Sequence, residues 1–348
     1  MSNKVVLPVK YPAITSWQWH ATIFSILGED ENAKKWIYSN YIQLRCYNIP
    51  EYTSGDEILL CDMMPGNSAL KECPYLICSL ITKQQIESYC GNVIDFIIKT
   101  IDLGGYVYGA FDEARMISNV GVDYKFSHEL FIYGYNMEEE VFYVGDFTFK
   151  DKYAYTTVTF ESVRQGFDVL QASEDHVLRD DYKGVRGLYV IQRNVDTRYY
   201  DVDKVLIKRT LKEYLNGEDT KDHFRMMRNR FNDTIFGVNV YDALKRRVDK
   251  QLHAEEPDFD IRALHIAYDH KVLMHDRLKY LMANEVIPFD QTMLDRYGEV
   301  VEDMLTARNL LVRISVTGEI EAGDRIAGYL DDARSKEVEI LTKVAESL

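Results

Sequence analysis

Phe126-Ser127-His128-Glu129-Leu130-Phe131-Ile132-Tyr133-Gly134-Tyr135, then the polar run Asn136 to Glu140, then Val141-Phe142-Tyr143-Val144-Gly145-Asp146-Phe147: this stretch decides the fold. Two aromatic and β-branched runs around a short polar segment predict antiparallel strands joined by a turn centred near Glu138. His128 opens the first strand and Asp146 closes the second, so both lie at the open end of the hairpin. In even register His128 stands across from about residue 149, and a slip of a residue or two brings the two side chains together. An imidazole oriented by a carboxylate at the rim of a sheet is how hydrolases and acyltransferases hold a general base. Two readings stand: a base with its orienting acid, or two polar residues that cap and end strands.

Outward from the hairpin the chain alternates helix and strand. Upstream, Gly104-Gly105 separates the alternating strand Tyr106–Asp112 from an amphipathic helix expected over Thr82 to Asp102. Downstream come a strand over Tyr153 to Phe160, a short helix over Glu161 to Leu170 and a strand over Gly187 to Arg193. Near the start, Val5 to Val9 is an extended entry. Thr15 or Ser16 then caps a helix whose apolar positions Trp17, Ala21, Phe24 and Leu27 recur at helical spacing until Gly28. The positive end of such a buried helix is where hydroxyl and thiol nucleophiles are placed, yet no cysteine precedes Cys46. Between these parts the pattern predicts a second helix over Trp36 to Ile49, a strand over Glu57 to Met64, a turn at Gly66-Asn67 and a strand over Cys73 to Ile81.

From about Val202 the texture changes. Val205 to Leu215, Lys221 to Phe231, Val240 to Leu252, Ile261 to Met282, Phe289 to Thr317 and Ala322 to Leu348 are amphipathic at helical period. Short breaks at Asn216-Gly217, Glu256-Pro257, Ile287-Pro288 and Gly318 join them into an antiparallel bundle. The reading is therefore an α+β domain over residues 1–200 followed by an all-α helical bundle over 201–348.

Composition narrows the partners. The chain has 348 residues and a formal net charge of -15, which argues against nucleic acid and anionic membranes. The opening residues lack a signal-peptide pattern, and no run approaches a membrane span. The 25 tyrosines fit a half-buried sheet or an amphipathic cleft. Cys46, Cys61, Cys73, Cys78 and Cys90 are odd in number, lack zinc-site spacing, and read as ordinary thiols of a reduced, cytoplasmic chain. His265 and Asp269 share a helix face while His270 and His275 are rotated away, which suits helix packing or solvation better than a metal. No glycine-rich phosphate loop or Gly-x-Ser-x-Gly elbow occurs, so no cofactor is expected.

The hairpin, the first helix and the helical tail together resemble the family of butirosin biosynthesis protein H, whose N-terminal domain is papain-like. The resembling residues are Trp17-Gln-Trp-His-Ala-Thr-Ile-Phe-Ser-Ile-Leu27, Gly105 to Asp112, His128-Glu-Leu-Phe-Ile-Tyr-Gly-Tyr135, Phe142-Tyr-Val-Gly-Asp-Phe147 and Ile261 to Met274. The resemblance implies a papain-like domain, a helix packed on an antiparallel sheet, and acyl transfer. A cysteine takes an acyl group from a carrier-protein thioester, and an amine-bearing small molecule receives it, in secondary-metabolite or peptide-antibiotic assembly. Carried over by position, His128 is the base and Asp146 its orienter. The family's cysteine falls near Gln18, where this chain has none; Thr15, Ser16 and His20 are the available substitutes, and Ser16 before Trp17 is similar to the Cys-Trp pair of papain-like enzymes. The expected partners are an acyl- or peptidyl-carrier protein, an amine acceptor and a second copy of the chain. The alternatives are a serine nucleophile, a non-catalytic binding or scaffold protein of the same pathway, and a peptidase.

Overall fold

The computed structural model describes residues 3–50, 57–112, 127–148, 152–172, 187–196, 200–220, 234–254 and 259–348. An N-terminal mixed α/β part with antiparallel sheets packed by helices is followed by a C-terminal helical region. The contacts divide the chain out of order: Met1–Asp30 with Asn67–Tyr199 form one unit, and Glu31–Gly66 with Tyr200–Leu348 form the other.

The first unit is built on a seven-stranded antiparallel sheet. Its strands are β1 (Lys4–Val6), β4 (Leu76–Thr82), β5 (Tyr106–Asp112), β6 (Ser127–Asn136), β7 (Val141–Thr148), β8 (Lys152–Thr159) and β9 (Gly187–Arg193). They lie in the order β4-β9-β5-β6-β7-β8, with β1 beside β6. β6 and β7 are the expected hairpin, paired from Asn136↔Val141 to Phe131↔Gly145 with a register shift between Ile132 and Gly134. Glu140 closes its turn at φ 53. Alternate side chains of the sheet, among them Phe111, Leu130, Ile132 and Val144, pack with Ile97, Ile101, Val163 and Phe167. The latter come from α5 (Val93–Asp102) and α6 (Phe160–Ala172).

Against β6 and β7 lies α1 (Gln18–Leu27), buried along its whole length. Tyrosines join it to the sheet and hold the entry segment. Tyr155 Oη donates to Lys10 O at 2.6 Å and accepts from Ser25 Oγ at 2.9 Å, and Tyr106 Oη donates to Pro8 O at 2.6 Å. Such rings bury their bodies and keep the phenol paired.

Three local expectations are corrected. The helix over Thr82 to Asp102 is two, α4 (Lys83–Cys90) and α5, because Gly91 at φ 80 breaks the turn and Asn92 caps afresh by accepting from Asp95 N. The helix over Trp36 to Ile49 ends early: α2 (Glu31–Asn40) gives way to β2 (Leu44–Pro50), which pairs with β3 (Glu57–Met63). Pairing overrides the apolar period there. In that register Cys46 faces Cys61, and the two are joined as a disulfide, so only Cys73, Cys78 and Cys90 are free thiols.

The second unit gathers α2 and a three-stranded sheet, β10 (Ile235–Phe236) with β2 and β3, among the long helices. These are α7 (Lys204–Asn216), α8 (Val240–Leu252), α9 (Arg262–Ala283), α10 (Gln291–Thr317) and α11 (Asp324–Ser347); the helix expected over Lys221 to Phe231 lies outside the described residues. Asp203 and Asp290 cap α7 and α10, and left-handed Gly217 and Gly318 end them. Among the described residues no helix is long and apolar enough to cross a membrane.

Fully buried Glu337 of α11 ties this unit together. Its Oε2 accepts from Tyr214 Oη at 2.7 Å, Tyr241 Oη at 2.9 Å and Lys271 Nζ at 2.8 Å, and its Oε1 accepts from Tyr297 Oη at 2.5 Å. Two more donors of α9 reach backbone carbonyls at the end of α2. His270 Nε2 donates to Ile42 O at 2.7 Å, and Arg277 donates to Tyr38 O at 2.7 Å and to Tyr41 O. These bonds hold residues 31–66 in the helical unit.

Two outcomes follow from this packing. Glu337→Leu leaves a lysine and three phenols without their acceptor. Urea unfolding should show a loss of about 3–5 kcal/mol, and Glu337→Gln, which still accepts from tyrosine, should lose less. A thiol titration of the unfolded, unreduced chain should count three cysteines, rising to five after reduction.

Candidate functional site

The site is assembled at the open end of the β6–β7 hairpin. The register shift between Ile132 and Gly134 moves His128 one residue closer to Asp146 along β7 than even pairing would. His128 Nδ1 lies 3.7 Å from Asp146 Oδ1, within ion-pair range and beyond a direct hydrogen bond. Nδ1 is nearer to Glu129 O, at 3.1 Å. A proton on Nδ1 satisfies that carbonyl and leaves Nε2 as the basic nitrogen, the tautomer a general base needs.

Asp146 is buried, with its side chain 2% exposed, whereas His128 is 26% exposed. Asp146 Oδ1 also accepts from Phe147 N at 2.7 Å, which fixes the carboxylate in place. The Phe147 ring meets the His128 imidazole edge-on, at 5.8 Å between centroids. Glu129 and Asp112 are also buried at this end of the sheet, in register positions facing Ala110 and Ser127. Neither acid stands out as a site residue in the sequence, because its position in an alternating strand gives no signal of burial.

The other contribution comes from α1. The expected hydroxyl cap is corrected here: Trp17, in extended backbone, is the N-cap, without a side-chain capping bond, and Gln18 is the first helical residue. Ser16 is buried in the segment ahead of it, and His20 is buried within the helix. Gln18 is 1% exposed and reaches the hairpin, its Nε2 donating to Gly145 O at 2.6 Å. A Cβ on residue 145 would collide with the Tyr153 hydroxyl and crowd Phe131, so only glycine lets ring and helix close on this carbonyl. Gln18 Oε1, with its amide thus oriented, is buried without a hydrogen-bond partner among the described residues.

The structure therefore brings His128 to Asp146, and Gln18 to the residue preceding Asp146. Thiols do not enter this arrangement. Cys46 and Cys61 are bonded to each other, and burial pushes Cys73 up to about 12 and Cys78 up to about 11. Cys90 is the last residue of α4. Among the described residues no group of three potential metal ligands is gathered. The sequence matches no model of a known protein family and none of the curated proteins.

If the Gln18 amide pins α1 to β7, its loss should be felt in stability and the loss of the imidazole should not. Gln18→Leu should cost about 1–3 kcal/mol in urea unfolding, because the Gly145 carbonyl loses its donor. His128→Gln should stay within about 0.5 kcal/mol of the native chain.

Proposed function

We propose that this chain is an acyltransferase-family protein of secondary-metabolite or peptide-antibiotic assembly in which the covalent step has been lost. It binds an acyl or peptidyl group delivered by a carrier protein, with an amine-bearing small molecule as the acceptor side of the same pathway. The observation that carries this reading is the Gln18 amide at the head of α1, held at 2.6 Å by the Gly145 carbonyl, next to the Asp146–His128 pair. An amide donates and accepts hydrogen bonds but forms no acyl-enzyme, so a base and its orienter remain without a thiol to activate. On this reading the protein works in the cytoplasm, alongside its carrier.

A second reading keeps the chemistry and makes Ser16 the nucleophile. It is favoured by the burial of Ser16 just ahead of α1, where helix amides can stabilise an oxyanion. A serine is far less ionised than a cysteine near neutral pH and depends on the His128 base more strictly.

Intact-mass spectrometry after incubation with an acyl-thioester donor separates the two. The native chain should carry no adduct, and Gln18→Cys should acquire one. A native adduct that disappears in Ser16→Ala would replace this proposal with a serine acyltransferase.

A further inference from the structure

α7 reads Lys204-Val-Leu-Ile-Lys-Arg-Thr-Leu-Lys-Glu-Tyr-Leu-Asn216. Lys204, Lys208 and Lys212 recur every fourth residue, so with Val205 and Arg209 they fall on one arc of about 140° of the helix surface. Lys204, Val205, Arg209 and Lys212 are exposed, and Lys208 is half-buried. Ile207, Leu211 and Tyr214 form the inner face, and Glu213, the one acid of the helix, is buried with them. The outer face therefore carries four cations and no anion around Val205, which is 78% exposed.

A solvated helix face mixes its charges, and other lysines of this unit are paired in that way. Lys245 reaches Asp242 and Asp331, Lys336 reaches Glu299 and Asp303, and Lys343 reaches Glu339, all within 3.1 Å. Among the described residues Lys204, Lys208 and Lys212 make no ion pair, and Arg209 meets only Glu213, at 3.8 Å. The stripe also works against the helix that carries it. Like charges four residues apart repel along Lys204, Lys208 and Lys212, and Lys204 stands at the positive end of the helix dipole. A face that weakens its own helix and lacks an internal partner is accounted for by an external one.

Charge and length say which kind. The stripe is a positive island in a chain of net charge -15. It spans about 12 Å from Lys204 to Lys212, and acids bound it in sequence, Asp201 and Asp203 before it, Glu218 and Asp219 after it. A nucleic-acid duplex or an anionic bilayer presents negative charge far beyond that length, where this chain repels it. An acidic helix presents carboxylates at the same four-residue spacing and over the same short distance. It can also set an apolar side chain among them, which gives exposed Val205 something to meet.

We infer that the outer face of α7 docks an acidic helix of a protein partner, with carboxylates against Lys204, Lys208 and Lys212 and an apolar side chain against Val205. The inference is independent of the chemistry proposed for the hairpin.

The test is fluorescence anisotropy on the full chain, with a labelled helical peptide in which three glutamates spaced by four flank a leucine. The comparisons are the same peptide with glutamines for glutamates, a DNA duplex of about 20 base pairs, and vesicles containing phosphatidylserine. The acidic peptide should bind with a Kd of about 10–100 µM at low salt, and the glutamine peptide at least about ten-fold more weakly. The triple variant Lys204→Gln/Lys208→Gln/Lys212→Gln should lose at least about ten-fold in affinity for the acidic peptide. Its thermal stability should equal or exceed that of the native chain, because like-charge repulsion along the helix is removed. No binding of the acidic peptide at about 500 µM would overturn the inference. So would a triple variant that keeps its affinity, or a duplex or vesicle bound more tightly than the peptide.

Discussion

Glu337 is one carboxylate with donors from four other helices. Tyr214 of α7, Tyr241 of α8, Lys271 of α9 and Tyr297 of α10 all bond to it, so five helices converge on a single buried charge. Burial alone would push this carboxyl up. The Lys271 charge and the hydrogen bonds from Lys271 and Tyr297 outweigh that cost and hold it below its usual range. His270 stays neutral beside it, because burial and the Lys271 charge push the imidazole down to about 3. A buried ion pair adds little net stability over a well-packed apolar replacement. It does select one arrangement of amphipathic helices that leucines and valines alone would leave degenerate, since sliding any helix by a turn strands a phenol or a charge.

The same helix accounts for the order of the units. His270 and Arg277 are seven residues apart, two turns along one face of α9, and both donate to carbonyls where α2 ends. A helix C-terminus leaves carbonyls unsatisfied and carries partial negative charge. A buried guanidinium there needs no carboxylate of its own. Residues 31–66 are thereby drawn out of the domain that precedes and follows them in sequence. Nothing in the composition of α2 announces this, because the donors lie more than two hundred residues away in the chain.

What was legible in the sequence was what depends on near neighbours. The β6–β7 hairpin, the strand Tyr106–Asp112 and the caps at Gly28, Gly217 and Gly318 follow from alternation and turn chemistry within about ten residues. The break between α4 and α5 was legible in principle, since Gly91-Asn92 is a stop followed by a cap. It was missed because the apolar positions Ile86, Val93 and Ile97 keep a helical period across it. The Cys46–Cys61 bond and the strand that carries it were not legible, because the apolar run from Trp36 to Ile49 fits a helix until β3 arrives to pair with part of it. The Glu337 cluster lies beyond any local pattern: its five residues read separately as one charge pair and three ordinary tyrosines.

At the candidate site the division is the same. Placing His128 and Asp146 at one hairpin mouth needed only the two strands; bringing them to 3.7 Å needed the register shift that no residue type between Ile132 and Gly134 demanded. The role of Gln18 needed more, because it depends on the bare backbone at Gly145 and on the Tyr153 ring that forbids a side chain there. A cysteine is shorter than glutamine and carries no second polar group to reach that carbonyl. The amide at the head of α1 ties the helix to the strand that holds Asp146. On the proposed function, Gln18→Cys would place a thiol where the helix dipole favours the thiolate and would release that tie in the same step, so the chemistry of this helix end and its packing are set by one residue and cannot be altered separately.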